Sequence, residues 1–213
     1  MSARDVTILV VQQNLRGILT IPEGAKGIVL FAHGSGSGRL SPRNQFVAQK
    51  LQEKGLATFL MDLLTAEEEE IDEKTRQFRF DIDLLAERLE GCAQWVLNQK
   101  ETSGLSIGYF GASTGAAAAL MAAGEQGDII KAIVSRGGRA DLAIDSLPDV
   151  TAPTLLIVGG DDLAVIELNK KAIDALQTIK SLEIVPGATH LFEEPGKLEV
   201  VAELASNWFV KHL

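Results

Sequence analysis

The chain has 213 residues, 46% hydrophobic and 23% charged, with a formal net charge of −9 and one cysteine, Cys92. That balance suits one globular domain over 1–213 and excludes a disordered chain, and the acidic surplus argues against a broad nucleic-acid-binding face. No apolar run approaches the ~20 residues that span a bilayer, no leader pattern opens the chain, and a lone cysteine makes no internal disulfide, so a cytoplasmic protein is expected.

Short β-branched runs alternate with longer amphipathic ones. Residues 6–11 and 15–21 are predicted strands joined by a turn at Gln13-Asn14. Gly27–Ala32 (GIVLFA) is continuously apolar, as expected of a strand covered on both faces. A Gly/Ser loop follows, then a helix over 42–54 with Pro42 in its first turn, then a strand over 57–63. The acidic run at 67–73 reads as a solvated loop or helix start rather than as a dock for a basic partner. Helical periodicity over 80–99 places Leu84, Leu85, Leu89, Cys92 and Val96 on one face. Further strands are expected at 105–110, 129–135, 154–158 and 181–185, with helices at 114–123, 165–177 and 197–210. Strands alternating with helices give an α/β fold: a mostly parallel eight-stranded sheet with helices on both faces. The first two strands lack a helix between them and form an antiparallel edge. The connection from Arg136 to Ala152 holds at most a short helix, so no large cap is expected.

Gly111-Ala112-Ser113-Thr114-Gly115 reads G-x-S-x-G. It follows the strand SIGYF and opens the Ala-rich helix AAAALMAA, the strand–turn–helix setting of a serine nucleophile elbow. Side chains at the flanking glycines would crowd the neighbouring strand and helix. A serine needs a base to take its proton. There are three histidines, and in this arrangement the order is Ser, acid, His. His33 precedes the serine and ends a strand, which suits a structural or oxyanion-loop role. His212 is penultimate and expected to be exposed. His190 remains, on the loop after LEIV and Pro186-Gly187. The acid must lie between the two at a strand end. Asp161 and Asp162, after TLLIVGG, both qualify, and spacing does not separate them. Asp128, Asp141, Asp145 and Asp149 read as turn or capping residues.

The loop His33-Gly34-Ser35-Gly36-Ser37-Gly38-Arg39 lacks a G-K-[ST] ending, and Arg39 stands where a dinucleotide loop counted from Gly34 needs its last glycine. As an oxyanion loop it works: Thr114 N–H supplies one donor and Ser35 N–H the second, with Gly34 or Gly36 as alternatives. Such a donor is worth ~3 kcal/mol to the transition state. Arg136 and Arg139 follow a strand that points to the site, and Arg39 and Arg43 follow the oxyanion loop. Arginine grips carboxylates bidentately, so Arg136, Arg139 and Arg43 are candidate substrate-binding residues for a small anionic ester. Internal salt bridges within an acidic protein are the equal alternative for each.

Taken together, FAHGSGSGRLSPRN, ATFLMDLLTAEEEE, GYFGASTGAAAAL, VSRGGRADLA, LLIVGGDDLAVIELN and PGATHLFEEPGKLEVVA resemble the dienelactone hydrolase family over nearly the whole chain. The likeness is strongest to its small members encoded with phosphoribosyltransferase domains. It implies the α/β-hydrolase fold without a large cap domain, and it maps the acid onto Asp162. One departure counts: the enzymes that give the family its name use a cysteine nucleophile, whereas this chain has Ser113, and Cys92 sits inside a helix. The expected activity is therefore cleavage of a small ester or lactone through an acyl-enzyme. Ser113 is the nucleophile, His190 the base, Asp162 the orienting acid, and Ser35 and Thr114 the oxyanion hole. No metal or organic cofactor is expected, because His and Cys are too few for a zinc cluster and no dinucleotide fingerprint exists. The pocket should be open, screened at most by the 65–80 segment. A thioesterase or peptidase-like hydrolase would use the same three residues. A non-catalytic binding module that kept the fold is disfavoured, since all three are intact.

Overall fold

The computed structural model describes residues 3–213. Its strands are β1 (Ala3–Val10), β2 (Gln13–Thr20), β3 (Gly27–Ala32), β4 (Ala57–Met61), β5 (Ser106–Ala112), β6 (Ile130–Arg136), β7 (Thr154–Gly159) and β8 (Lys180–Val185). They form one eight-stranded sheet in the order β1-β2-β4-β3-β5-β6-β7-β8. The pairs β1/β2 and β2/β4 are antiparallel and every other pair is parallel.

Helices cover both faces: α1 (Pro42–Glu53), α3 (Ile82–Asn98), α4 (Thr114–Gln126), α5 (Leu163–Ala175) and α6 (Lys197–His212). Because strand side chains alternate, β3 feeds two cores. Ile28, Leu30 and Ala32 pack with α3 and α4, while Val29 and Phe31 pack with α1 and α6. All six β3 residues are buried for that reason. In α4, the run Ala116–Ala117–Ala118–Ala119 is buried, and small side chains let this helix approach the sheet closely. None of the described helices is long and apolar enough to cross a membrane.

One local feature differs from expectation, and another is decided between the two alternatives stated for it. The first hairpin turns at Val11-Gln12, with Val10 opposite Gln13, while Gln13 and Asn14 already belong to β2. Val11 and Gln12 both have positive φ, 48° and 60°. A two-residue turn of this hand matches the twist of the flanking strands, and that tertiary demand overrides their weak turn propensity. The acidic segment, in turn, forms a full helix, α2 (Ala66–Thr75). Thr65 Oγ1 accepts the Glu68 N–H while Glu68 returns a bond to the Thr65 N–H. Glu67, Glu68 and Glu69 occupy the first turn, where the helix dipole favours negative charge. The connection after β6 holds only 3-10 turns over Ala140–Asp149, broken at Ala143, so no cap domain rises there.

Candidate active site

Ser113 stands between β5 and α4 with φ 50° and ψ −120°, a left-handed conformation that a serine adopts only when its surroundings enforce it. The flanking glycines explain how. A Cβ at Gly111 would collide with the Ala116 backbone, and one at Gly115 with the carbonyl oxygens of Ala32 and His33. The turn is also tied to the next strand: Ser113 N–H donates to Arg136 O at 3.2 Å, and Ser113 O accepts from Arg139 N–H at 3.0 Å. Thr114 opens α4, where a backbone N–H has no intrahelical acceptor.

Asp162 stands at the N-cap position of α5, after the exit of β7, without a side-chain cap bond, and its Oδ2 lies 2.7 Å from Nδ1 of His190. Asp161 is exposed, and its backbone N–H donates to Ala188 O at 2.9 Å. The histidine loop reaches this position because β7 ends in glycine. A Cβ at Gly159 would collide with Ala188 O and approach Thr189 O to 2.6 Å. Gly137, with φ 53°, passes the other side of the ring, its Cβ position 3.4 Å from Nδ1. Ser113 and His190 line one pocket of about 160 Å³ with Ser35, Ser37, Arg136 and Leu191. No hydrogen bond between Ser113 and the His190 ring is formed among the described residues. Such contacts are often long before substrate binds.

The 33–39 loop lies against the serine. A Cβ at Gly34 would meet Ser113 Cβ and Ala112 O at 3.1 Å, and Ser35 Oγ bonds Thr114 Oγ1 at 3.1 Å. His33 is buried beneath it. Leu63 N–H donates to His33 Nε2 at 2.9 Å, so the ring proton sits on Nδ1, 2.9 Å from Gly34 O. Burial holds this imidazole below the usual 6.5, only partly offset by the Gly34 hydrogen bond and the Asp62 charge. The folded protein therefore resists a proton that the unfolded chain accepts as pH falls below 6.5. Stability from His33 is complete above that value and is lost as pH drops, at up to about 1.4 kcal/mol per pH unit. Urea midpoints measured from pH 7 to pH 5 should fall less steeply in His33→Asn than in the parent. Parallel slopes would show that His33 is not the group responsible.

The four arginines divide. Arg39 pairs with Asp62, and Arg139 holds Asp141 through two bonds of 2.8 Å, outside the lining of the Ser113 pocket. Arg43 lines the pocket, with one bond of 2.6 Å to Glu193. Arg136 also lines it. The residue is 7% exposed, and its Nε and Nη1 are buried with no hydrogen-bond partner among the described residues. Burial, then the neighbouring Arg43 charge, pulls its pKa down to about 10. Cys92 is buried, with its thiol pushed up to about 12 by burial, which leaves it inert as a nucleophile. His212 is half-buried rather than exposed, stacked on Trp208 at 4.7 Å.

Helix α2 does not line the Ser113 pocket. It walls a larger neighbouring cleft of about 810 Å³ that shares Ser37 with it and is bounded by the first hairpin. Leu191 and Ser37 carried no functional signal of their own in the sequence beyond standing next to His190 and inside the Gly/Ser loop. No cluster of three or more His, Cys, Asp or Glu side chains suited to a metal exists among the described residues.

The sequence model of the dienelactone hydrolase family matches residues 15–209. A crystal structure of dienelactone hydrolase from Anabaena variabilis is 59% identical, covers 100% of this chain and 98% of its own, and superposes with a TM-score of 0.98. A "Putative phosphoribosyl transferase" of Mycobacterium tuberculosis is 57% identical over 197 residues, 92% of this chain but 44% of that protein. The chain thus spans less than half the length of this curated relative. An α/β serine hydrolase homologue from Coxiella burnetii is 21% identical, covers 97% of both chains and has a TM-score of 0.80, a likeness of fold.

Proposed function

The chain belongs to the dienelactone hydrolase family, and from that premise we propose that it is a serine hydrolase cleaving small esters or lactones through an acyl-enzyme. The observation that carries this reading is the 2.7 Å contact between Asp162 and His190 in a loop that shares a pocket with the positive-φ Ser113. Ser113 Oγ attacks the carbonyl carbon as His190 takes its proton. Asp162 holds the ring with Nδ1 as donor and stabilises the imidazolium. The N–H groups of Thr114 and Ser35 receive the oxyanion. His190 then returns the proton to the leaving oxygen, and water repeats the sequence on the acyl-enzyme.

An anionic substrate is favoured by Arg136. Arg136 lines the pocket and has no acidic partner among the described residues, and a substrate carboxylate supplies the charge that balances it. The name of the Anabaena variabilis relative supports a lactone among the candidates. The phosphoribosyl transferase name belongs to a relative of which this chain covers 44%. We assign none of that activity to this segment.

A fluorophosphonate probe should label the folded protein at Ser113, with the adduct located by peptide mass spectrometry. A folded protein that takes no label would point instead to a binding module. Arg136→Met should lower kcat/KM for a carboxylate-bearing ester by about 10- to 100-fold, the range of a charge-assisted hydrogen bond. The neutral ester of the same shape should change little. Equal losses on both would remove the anion site.

A further inference from the structure

We propose that the buried Arg88–Glu68 pair is a positioning device for the oxyanion loop, acting through the turn that follows β4. What the loop donors do rests on the serine-hydrolase reading above, while the device itself stands on geometry.

The 33–39 loop is fastened to that turn at both ends. At its start, Leu63 N–H donates to His33 Nε2 at 2.9 Å, and the same ring bonds Gly34 O at 2.9 Å. At its end, Asp62 Oδ1 accepts Arg39 N–H at 2.7 Å, and Oδ2 pairs with the Arg39 guanidinium. Gly38 lies so near that a Cβ there would meet Asp62 Oδ1 at 2.7 Å. The stretch from Asp62 to Thr65 is therefore the template on which the loop is laid.

The template is gripped from its other side by a side chain on α3. Arg88 is 2% exposed. Its Nη1 donates to Leu63 O at 2.7 Å and to Glu68 Oε2 at 2.7 Å, and its Nη2 donates to Glu68 Oε1 at 2.6 Å. Glu68 Oε2 also accepts the Thr65 N–H at 2.8 Å. Leu63 is thus held at both faces, its N–H by His33 and its C=O by Arg88. The chain of contacts runs from α3 through Leu63 and His33 to Gly34, the neighbour of Ser35. Neither Arg88 nor Glu68 lines the nucleophile pocket, so both are positioning residues. A buried ion pair adds little net stability over well-packed apolar side chains. What this one supplies is direction, because a bidentate guanidinium fixes the orientation of both its acceptors.

Arg88→Met combined with Glu68→Met removes both charges together, so neither is left buried alone and the fold is retained. In this double variant kcat for a neutral aryl ester should fall by about 10- to 100-fold, the loss typical of a misplaced donor, with KM little changed. The preference for that ester over its thionoester should shrink in the same proportion, because sulfur is the poorer acceptor for the loop donors. Amide hydrogen exchange should accelerate over 33–39 and stay unchanged in β5 and β6. Asp62→Asn, at the other anchor, should shift the ester-to-thionoester ratio in the same direction. Parent-like kcat, ratio and loop exchange in the double variant would overturn the proposal. If the parent itself hydrolyses no ester, the serine-hydrolase reading fails separately, and loop exchange alone decides: acceleration upholds the device and unchanged protection overturns it.

Discussion

Ser113→Ala should fold like the parent, lose the initial burst of p-nitrophenol from an activated ester, and turn over about 10⁴-fold more slowly or worse. The alanine side chain is smaller, and the left-handed turn that holds position 113 is enforced by its neighbours: the Ser113 N–H is bound to Arg136 O, and Ser113 O accepts from Arg139. The fold therefore has no need of the hydroxyl, whereas acylation has no substitute for it. Any residual rate would come from binding and from the backbone donors alone. Retained burst kinetics in a properly folded variant would exclude Ser113 as nucleophile. Cys92 could not be the replacement, buried in α3 with its thiol pushed up to about 12.

Gly115→Ala is expected to have the largest effect on stability. A Cβ at this position would collide with the carbonyl oxygens of both Ala32 and His33. Both are backbone atoms, Ala32 at the end of β3 and His33 directly after it, and cannot swing aside as a flexible side chain would. Relief requires α4 to back away from the sheet, which opens the packing of its buried alanines. The cost is set at about 3 kcal/mol or more, the upper end for overpacking, and a fall in Tm of roughly 6–12 °C follows for a chain of this size. Activity should fall further than stability alone predicts, because the same displacement moves Thr114 and the start of the oxyanion loop relative to Ser113. A Tm within a degree or two of the parent would show that α4 is not seated as described.

The order of elements was legible from periodicity, since alternating and 3.6-residue patterns are local consequences of which face each segment buries. Departures came where local preference was outvoted. Val11 and Gln12 are poor turn formers, yet the pairing of β1 with β2 places the reversal on them. Residues 67–73 read equally as a solvated loop or a helix start, and the Thr65/Glu68 capping box accompanies the helix that forms. Arg88 gave no sign of its role, because its partners Leu63 and Glu68 are 25 and 20 residues away in the chain.

By itself the sequence singled out Ser113 and His190 as candidates. Strand–turn–helix context and a supply of only three histidines are properties of the chain, independent of how its parts meet. Asp161 and Asp162 were equivalent by spacing, and resemblance alone favoured the second. The tertiary structure sets the Asp162 carboxylate 2.7 Å from His190, and Asp161 forms no hydrogen bond with that ring among the described residues. It also sorted the arginines. Arg39 and Arg139 are taken by Asp62 and Asp141, whereas Arg136 lines the pocket with no acidic partner among the described residues. Whether a charge is spent within the fold or kept for a ligand depends on which neighbours come within hydrogen-bond distance, and that is set by packing between segments distant in the chain.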